Sequence, residues 1–276
     1  MVSSHKLIKY ISKNNFYTMT PILSIIIPQY KTLELIRLCI RAIKQFSVLN
    51  PEIIVIDNNS CDASIDYLRQ VKNITLIENK RKCNGVDAHK LALDLGINKA
   101  RGKWILFFHS DSIVLKKSWD KDLLDLTKKT SGTIGATTIY RDINRFAPWY
   151  TKLLRYFKER NSFFNYSLDV TNKKIMSYCF LIERKFLLKT KYEFYGSQGD
   201  VGDSLYQHHI KNKKPFILLG RNMLNRFIWH TSNATSLAAG LMSDQKSKEK
   251  FIKKRNQLLS SDIIIGLLQN KALDKR

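Results

Sequence analysis

Short apolar runs rich in β-branched residues, each closed by a polar cluster, alternate with segments of helical period from Leu23 to Phe108. That alternation constrains the fold more than any other feature, because successive strands joined by helical crossovers form a mostly parallel sheet with helices on both faces. Leu23 to Pro28 reads as a buried strand stopped by proline, with Gln29-Tyr30-Lys31 as a loop at its end. From Leu33, apolar positions at Ile36, Cys39, Ile40, Ile43 and Phe46 have helical spacing, and Glu52 to Ile56 is a second strand that ends in Asp57-Asn58-Asn59-Ser60-Cys61-Asp62. A helix over Ser64 to Val71, a strand over Ile74 to Ile77, a basic loop from Asn79 to Asn84 and a helix over Ala88 to Ala100 follow. The run Lys103 to Phe108 then stops at His109-Ser110-Asp111, which holds a carboxylate at the sheet edge where open α/β sheets bind ligands.

Beyond Asp111 the rhythm loosens. Helical pattern near Trp119 to Lys128 and a strand near Thr133 to Tyr140 precede a stretch from Arg145 to Phe164 that interleaves cations with large rings. Ile175 to Ile182 is apolar, and Gly196 to Asp203 forms a glycine-rich loop leading into a helix at Leu205 to Lys211. Strands are expected at Phe216 to Leu219 and Arg226 to His230, and the tail from Ser243 is charged, apolar at Ile263 to Leu268, then charged again. With no internal repeat and no low-complexity linker, the expected division is an extension at 1–20, a main domain at 21–241 and a basic, apolar helical tail at 242–276.

Composition limits the partners. Lys and Arg number 47 against 23 Asp and Glu, and a net charge of +24 attracts phosphates, nucleic acid or an anionic membrane surface. The basic residues are spread without a nucleic-acid reader motif, which leaves a nucleic-acid-binding protein as the weaker class. Four cysteines without C-x-x-C spacing imply a reducing compartment and no structural zinc. The first twenty residues lack the continuous apolar core of a signal peptide, and no run reaches the ~18 to 20 apolar residues of a membrane span. A cytoplasmic protein, soluble or peripheral on a membrane face, is expected.

The ordered set Ser24 to Pro28, Val55 to Asp62, Ala88 to Asp94, Trp104 to Asp111, Gly202-Asp203 and Trp229-His230 resembles the GT-A fold glycosyltransferases of family 2, the inverting nucleotide-sugar enzymes. The resemblance spans Pro21 to Ser236 and implies a GT-A, Rossmann-like α/β fold, with a nucleotide-binding half at 21–115 and an acceptor-binding half at 116–241. It implies a nucleoside-diphosphate sugar donor, with UDP favoured, a glycan or lipid-linked acceptor, and Mn²⁺ or Mg²⁺ bridging the donor's phosphates. Asp111 and His230 are the implied metal ligands, although Asp111 also fits a plain cap and His230 a structural histidine. Pro28, Gln29, Tyr30, Asp57, Asn58, Lys80, His89, His109 and Ser110 are placed around the nucleotide sugar, with Arg81 beside Lys80. Asp57 and its neighbours equally suit an Asx-turn.

Transfer also needs a base to take the acceptor's proton. The resemblance puts Asp203 at that position, with Asp200 as the competing acid. His109 stands where the family usually has an acid, so a protein that binds the nucleotide sugar without turning it over is an alternative. His208 and His209 are adjacent, point in different directions and read as packing or surface residues. Arg145 to Lys158 and the cations from Lys246 to Arg255 suit either attachment to an anionic membrane or solvated helix faces.

Overall fold

The computed structural model describes residues 20–81, 83, 85–130, 133–137, 175–219, 224, 226–231, 234–240 and 243–276. The N-terminal extension up to residue 19, the stretch Arg145 to Phe164 and the boundary at Leu241 lie outside the described residues.

Four parallel strands build the first half: β1 (Leu23–Gln29), β2 (Glu52–Asp57), β3 (Thr75–Glu78) and β4 (Trp104–Phe108). They are connected by α1 (Leu33–Phe46), α2 (Ala63–Gln70) and α3 (Gly85–Lys99). After β5 (Ser112–Val114) and α4 (Trp119–Thr130), the chain adds β6 (Thr133–Thr137), β7 (Ile175–Glu183), α5 (Arg184–Thr190), α6 (Val201–Lys211) and β8 (Phe216–Leu219). The large sheet runs β3-β2-β1-β4-β7-β6-β8, with β7 antiparallel to both β4 and β6. A second, two-stranded sheet pairs β5 with β9 (Ile228–His230). A short helix, α7 (Ala234–Ala238), follows β9, and the helical tail consists of α8 (Gln245–Leu259), α9 (Asp262–Gln269) and a closing 3₁₀ turn at Lys271–Lys275.

Strand alternation divides the core. Leu23, Ile25 and Ile27 face α1, whereas Ile26, Ile54 and Ile56 face Ala92, Leu93 and Ile97 of α3, so each side of the sheet has its own helix layer. Gly96 lets α3 lie close: a Cβ there would come within 2.4 Å of the Ile26 side chain.

Pro28 does not stop β1, which continues to Gln29. Pairing with β4 ends at Ile26, and the Gln29 carbonyl accepts from Asn58 on the β2 side. Alternation therefore turns the Pro28 nitrogen toward the side that has lost its partner strand, where a missing donor costs nothing.

The tail is packed into the domain. Ile264, Leu267 and Leu273 belong to the same apolar cluster as α1, while Ile263 and Ile265 of the same run are exposed. The Arg41 guanidinium donates to both Asp274 oxygens and to the carbonyls of Leu267 and Leu268, and Tyr67 donates its hydroxyl to Asp274 at 2.8 Å.

Candidate active site

The polar ends of β1, β2 and β4 open on one edge of the sheet, and the first residues of β7 reach the same edge because Phe108 pairs with Cys179. His109-Ser110-Asp111 leaves β4 there. The small β5–β9 sheet then brings in a distant segment: Ser112 pairs with His230, and the Thr231 amide donates to the Asp111 carbonyl. Asp111 and His230 meet because of this pairing, with Nε2 of His230 3.1 Å from Oδ1 of Asp111. The other carboxylate oxygen accepts from the Thr231 hydroxyl at 3.0 Å and the Ala234 amide at 3.4 Å.

His109 completes the cluster, its Nδ1 3.9 Å from the same Oδ1 and its Nε2 3.0 Å from the Ser177 hydroxyl. Each of His109, Asp111 and His230 offers one ligand atom, and these atoms all lie within 4.8 Å of one another. Two imidazoles and a carboxylate in that space suit a divalent cation. Burial alone would raise the Asp111 pKa, but His230 by charge and hydrogen bond, then His109 and Thr231, hold the carboxyl well below the usual carboxylate range. Burial keeps the His109 ring neutral, reinforced by His89 and His230 and opposed by Asp111. The Asp111 carboxylate and the His109 ring are thus each in the state that binds metal.

Other rings line the cluster. Tyr178 stacks on His230 with centroids 4.1 Å apart, and His89 of α3 meets His109 edge to face at 5.1 Å. His89 is half-buried as a whole, but its Nε2 is fully covered and finds no hydrogen-bond partner among the described residues. Burial lowers its pKa to about 4, with Asp111 and Asp200 opposing.

Asp200 is the N-terminal cap residue of α6, yet its side chain makes no capping bond, and its charge acts on His89. Asp203, in the first turn of the helix, enters neither the hydrogen bonds nor the ion pairs of the cluster among the described residues. The intervening Gly202 is a packing requirement, since a Cβ would fall 2.1 Å from the Ile175 carbonyl oxygen. Lys90 donates to the Ser197 carbonyl at 2.5 Å, and Asp94 accepts from the amides of Phe194 and Tyr195, so α3 anchors the loop that presents Asp200.

At the ends of β1 and β2, Gln29 is the hub. Its Nε2 lies 2.7 Å from Asp57 Oδ1 and within bonding distance of the Ser60 and Ser64 hydroxyls, while its Oε1 accepts from the Thr32 hydroxyl. Ser60 also donates its amide to Asp57 Oδ2 and its hydroxyl to Oδ1. Of the roughly four lone-pair sites on a carboxylate, three are thus occupied by the protein. Ser110 is buried and joined to this network through the Thr32 hydroxyl at 3.1 Å. Pro28 is buried, Tyr30 and Asn58 are partly open, and Asn58 is held by the Asn79 amide. Lys80 is exposed beyond β3; Arg81 lies 4.7 Å from the centroid of the Tyr195 ring. Of the adjacent pair on α6, His209 is buried between the Leu205 carbonyl and the Thr133 hydroxyl, and His208 meets Thr190, both as packing residues.

Sequence reasoning missed Ser177, Tyr178 and Thr231. Polar Ser177 inside an otherwise apolar strand was the available signal for the first two; nothing local distinguishes Thr231.

Comparison with known proteins gives the fold and the family. EpsH of Bacillus subtilis (strain 168), which carries the name of a glycosyltransferase, is 31% identical over 96 residues, a match that takes in 33% of this chain and 26% of EpsH. The chain therefore spans about a quarter of that relative's length. Among solved structures, S. aureus TarS 1-349 superposes with a TM-score of 0.54 at 15% identity, covering 90% of this chain and 75% of that one. The mannosyltransferase PcManGT from Pyrobaculum calidifontis, in complex with GDP-Man and Mn²⁺, gives 0.52 at 12% identity over 97% of this chain and 85% of that one. Both likenesses establish the fold, a mixed α/β GT-A architecture. The family model for glycosyl transferase family 2 matches residues 24–190, more than half of the sequence, and the chain belongs to that family.

Proposed function

We propose that the protein transfers a sugar from a nucleoside-diphosphate donor to an acceptor hydroxyl with inversion at the anomeric carbon. The observation that carries this reading is the convergence of Asp111, His230 and His109 at the end of β4 beside His89 and Asp200. In this reading the nucleotide lies over the ends of β1 and β2, where Tyr30, Asn58 and the remaining lone pair of Asp57 meet base and ribose. UDP is the favoured nucleotide; TarS 1-349 has been solved in complex with UDP, and PcManGT with GDP-Man. Asp111 and His230 would hold a divalent ion, which would supply positive charge to a departing diphosphate. Thr231 fixes the Asp111 carboxylate from behind, and His89 packs edge to face on His109.

Of the two competing acids, Asp200 is the base. It accepts the acceptor's proton as that oxygen bonds to the anomeric carbon and the bond to the diphosphate breaks. Its charge acts on His89, which packs on the cluster, whereas Asp203 lies in the first turn of α6. The acceptor in this reading is a glycan or a lipid-linked chain. No helix among the described residues is long and apolar enough to cross a membrane, so contact with an anionic surface would fall to exposed Lys246, Lys250, Lys253, Ile252, Ile263 and Ile265. Sedimentation with anionic against neutral vesicles tests that contact, and equal absence of binding removes it.

The test of the activity is turnover of a UDP- and GDP-sugar panel with Mn²⁺, with the product anomer read by NMR. Inverted product, lost in Asp200→Asn with donor binding kept, is expected. Donor binding without turnover across a broad acceptor panel, or retained configuration, sinks the proposal.

A further inference from the structure

The first position of the strand-end motif carries an imidazole, and its surroundings look built to use it. His109 Nε2 is engaged by the Ser177 hydroxyl at 3.0 Å, which leaves Nδ1 as the nitrogen facing Asp111. A metal-binding histidine commonly has its second ring nitrogen fixed in this way, which sets the tautomer and the orientation of the ring. His89 on one side and Tyr178, 6.5 Å away, on another limit the ring further. His230 arrives from β9 with Nε2 on the same oxygen of Asp111, its plane set by the parallel Tyr178 ring. Asp111 Oδ2 is turned away into bonds with Thr231 and Ala234. The protein therefore offers one anionic oxygen and two nitrogens, converging from the end of β4 and from β9.

We propose that His109 is a third protein ligand, so that the centre is a two-histidine, one-carboxylate site that selects first-row transition ions over Mg²⁺. The inference rests on the reading that this cluster holds the donor's cation, and it adds which ion and through which atoms. Mg²⁺ demands hard oxygen donors in near-ideal octahedral order and gives up its waters reluctantly, so a site with a single anionic oxygen holds it poorly. Imidazole donors favour the transition ions, whose affinities rise from Mn²⁺ to Co²⁺ at a fixed set of nitrogen and oxygen ligands. An acid at position 109 would have supplied a second hard oxygen. The histidine exchanges that charge for selectivity, and the diphosphate of the donor provides the remaining oxygens.

The experiment uses the full chain stripped of metal, in the presence of UDP, titrated with Mg²⁺, Mn²⁺ and Co²⁺ by calorimetry. Affinities should rise in that order, with Mn²⁺ at least about tenfold tighter than Mg²⁺. His109→Asp should narrow the gap by strengthening Mg²⁺ and weakening Co²⁺. Pulsed EPR of bound Mn²⁺, on protein labelled with ¹⁵N-histidine, reads the ligands directly: two imidazole nitrogens in the unaltered protein. One nitrogen in that spectrum, or Mg²⁺ binding as tightly as Mn²⁺, overturns the proposal. The unaltered protein supplies the decisive spectrum, so folding of the variant does not limit the test. Mn²⁺ held through one nitrogen refutes the inference alone, whereas UDP binding with no uptake of any of the three ions refutes the metal-assisted reading beneath it.

Discussion

At the scale of single residues, the centre depends on how Asp111 is held. Its carboxylate is buried with 4% exposure, and the hydrogen bond from Thr231 is one of the interactions that keep it ionised. Thr231→Val preserves shape and removes that donor. Loss of such an outer partner typically costs about 10- to 100-fold in metal affinity, so Mn²⁺ affinity measured by calorimetry should fall in that range with the fold intact. Asp200 supports a different expectation, because it heads α6, a different element from the ends of β1 and β2 that this reading gives to the nucleotide. Asp200→Asn should lower kcat by roughly 100-fold or more, the usual share of a general base, while the affinity for UDP stays within about twofold. If Asp203→Asn gives the large loss instead, the base assignment moves one turn along α6.

At the scale of elements, helix and strand periods were legible wherever the pattern is local. Leu33–Phe46 and Phe216–Leu219 have the bounds their spacing implies, and the other strands of the first half shift by a residue or so. What the sequence could not show is partnership between distant segments. Ser112–Val114 is too short to declare itself a strand, yet its pairing with Ile228–His230 makes Asp111 and His230 neighbours. The motif residues were therefore readable singly, by resemblance, while Thr231, Ser177 and Tyr178 became visible only once the chain was folded. The tail shows the same limit: Ile263 to Leu268 reads as one apolar block, but only Ile264 and Leu267 are buried, because α9 turns one stripe toward α1. Arg41 anchors that contact with 3% exposure and Asp274 as its counter-ion. Removing one partner of a buried pair strands the other charge, so Asp274→Ala should destabilise the protein by roughly 3 kcal/mol in urea unfolding. Replacing the pair together, as Arg41→Met with Asp274→Leu, should recover most of the loss, which a purely local role for Asp274 would not allow.

At the scale of the whole molecule, a chain of net charge +24 is already self-repelling, and acid adds to that load. Buried histidines decide where the added protons cost stability. His209 is fully buried, and desolvation lowers its pKa to about 4, partly offset by its bond to the Leu205 carbonyl and reinforced by His208 and Lys214. The unfolded chain protonates the same ring near pH 6.5, so between the two values unfolding takes up a proton that the folded state refuses. Stability from this ring is complete above pH 6.5 and drains away as the pH falls toward 4. Linkage puts the loss at about 2 kcal/mol by pH 5 and about 3 kcal/mol by pH 4. His209→Gln, which keeps an amide between Leu205 and Thr133, should be less stable at pH 7 but show a flatter decline in urea unfolding from pH 7 to pH 4.5. His89 and His109, also held neutral by burial, leave a residual slope in that variant, so the quantity to read is the difference between the two profiles. Parallel profiles would mean that the His209 ring is hydrated enough to protonate in place, and that the interface between β6 and α6 is open to water.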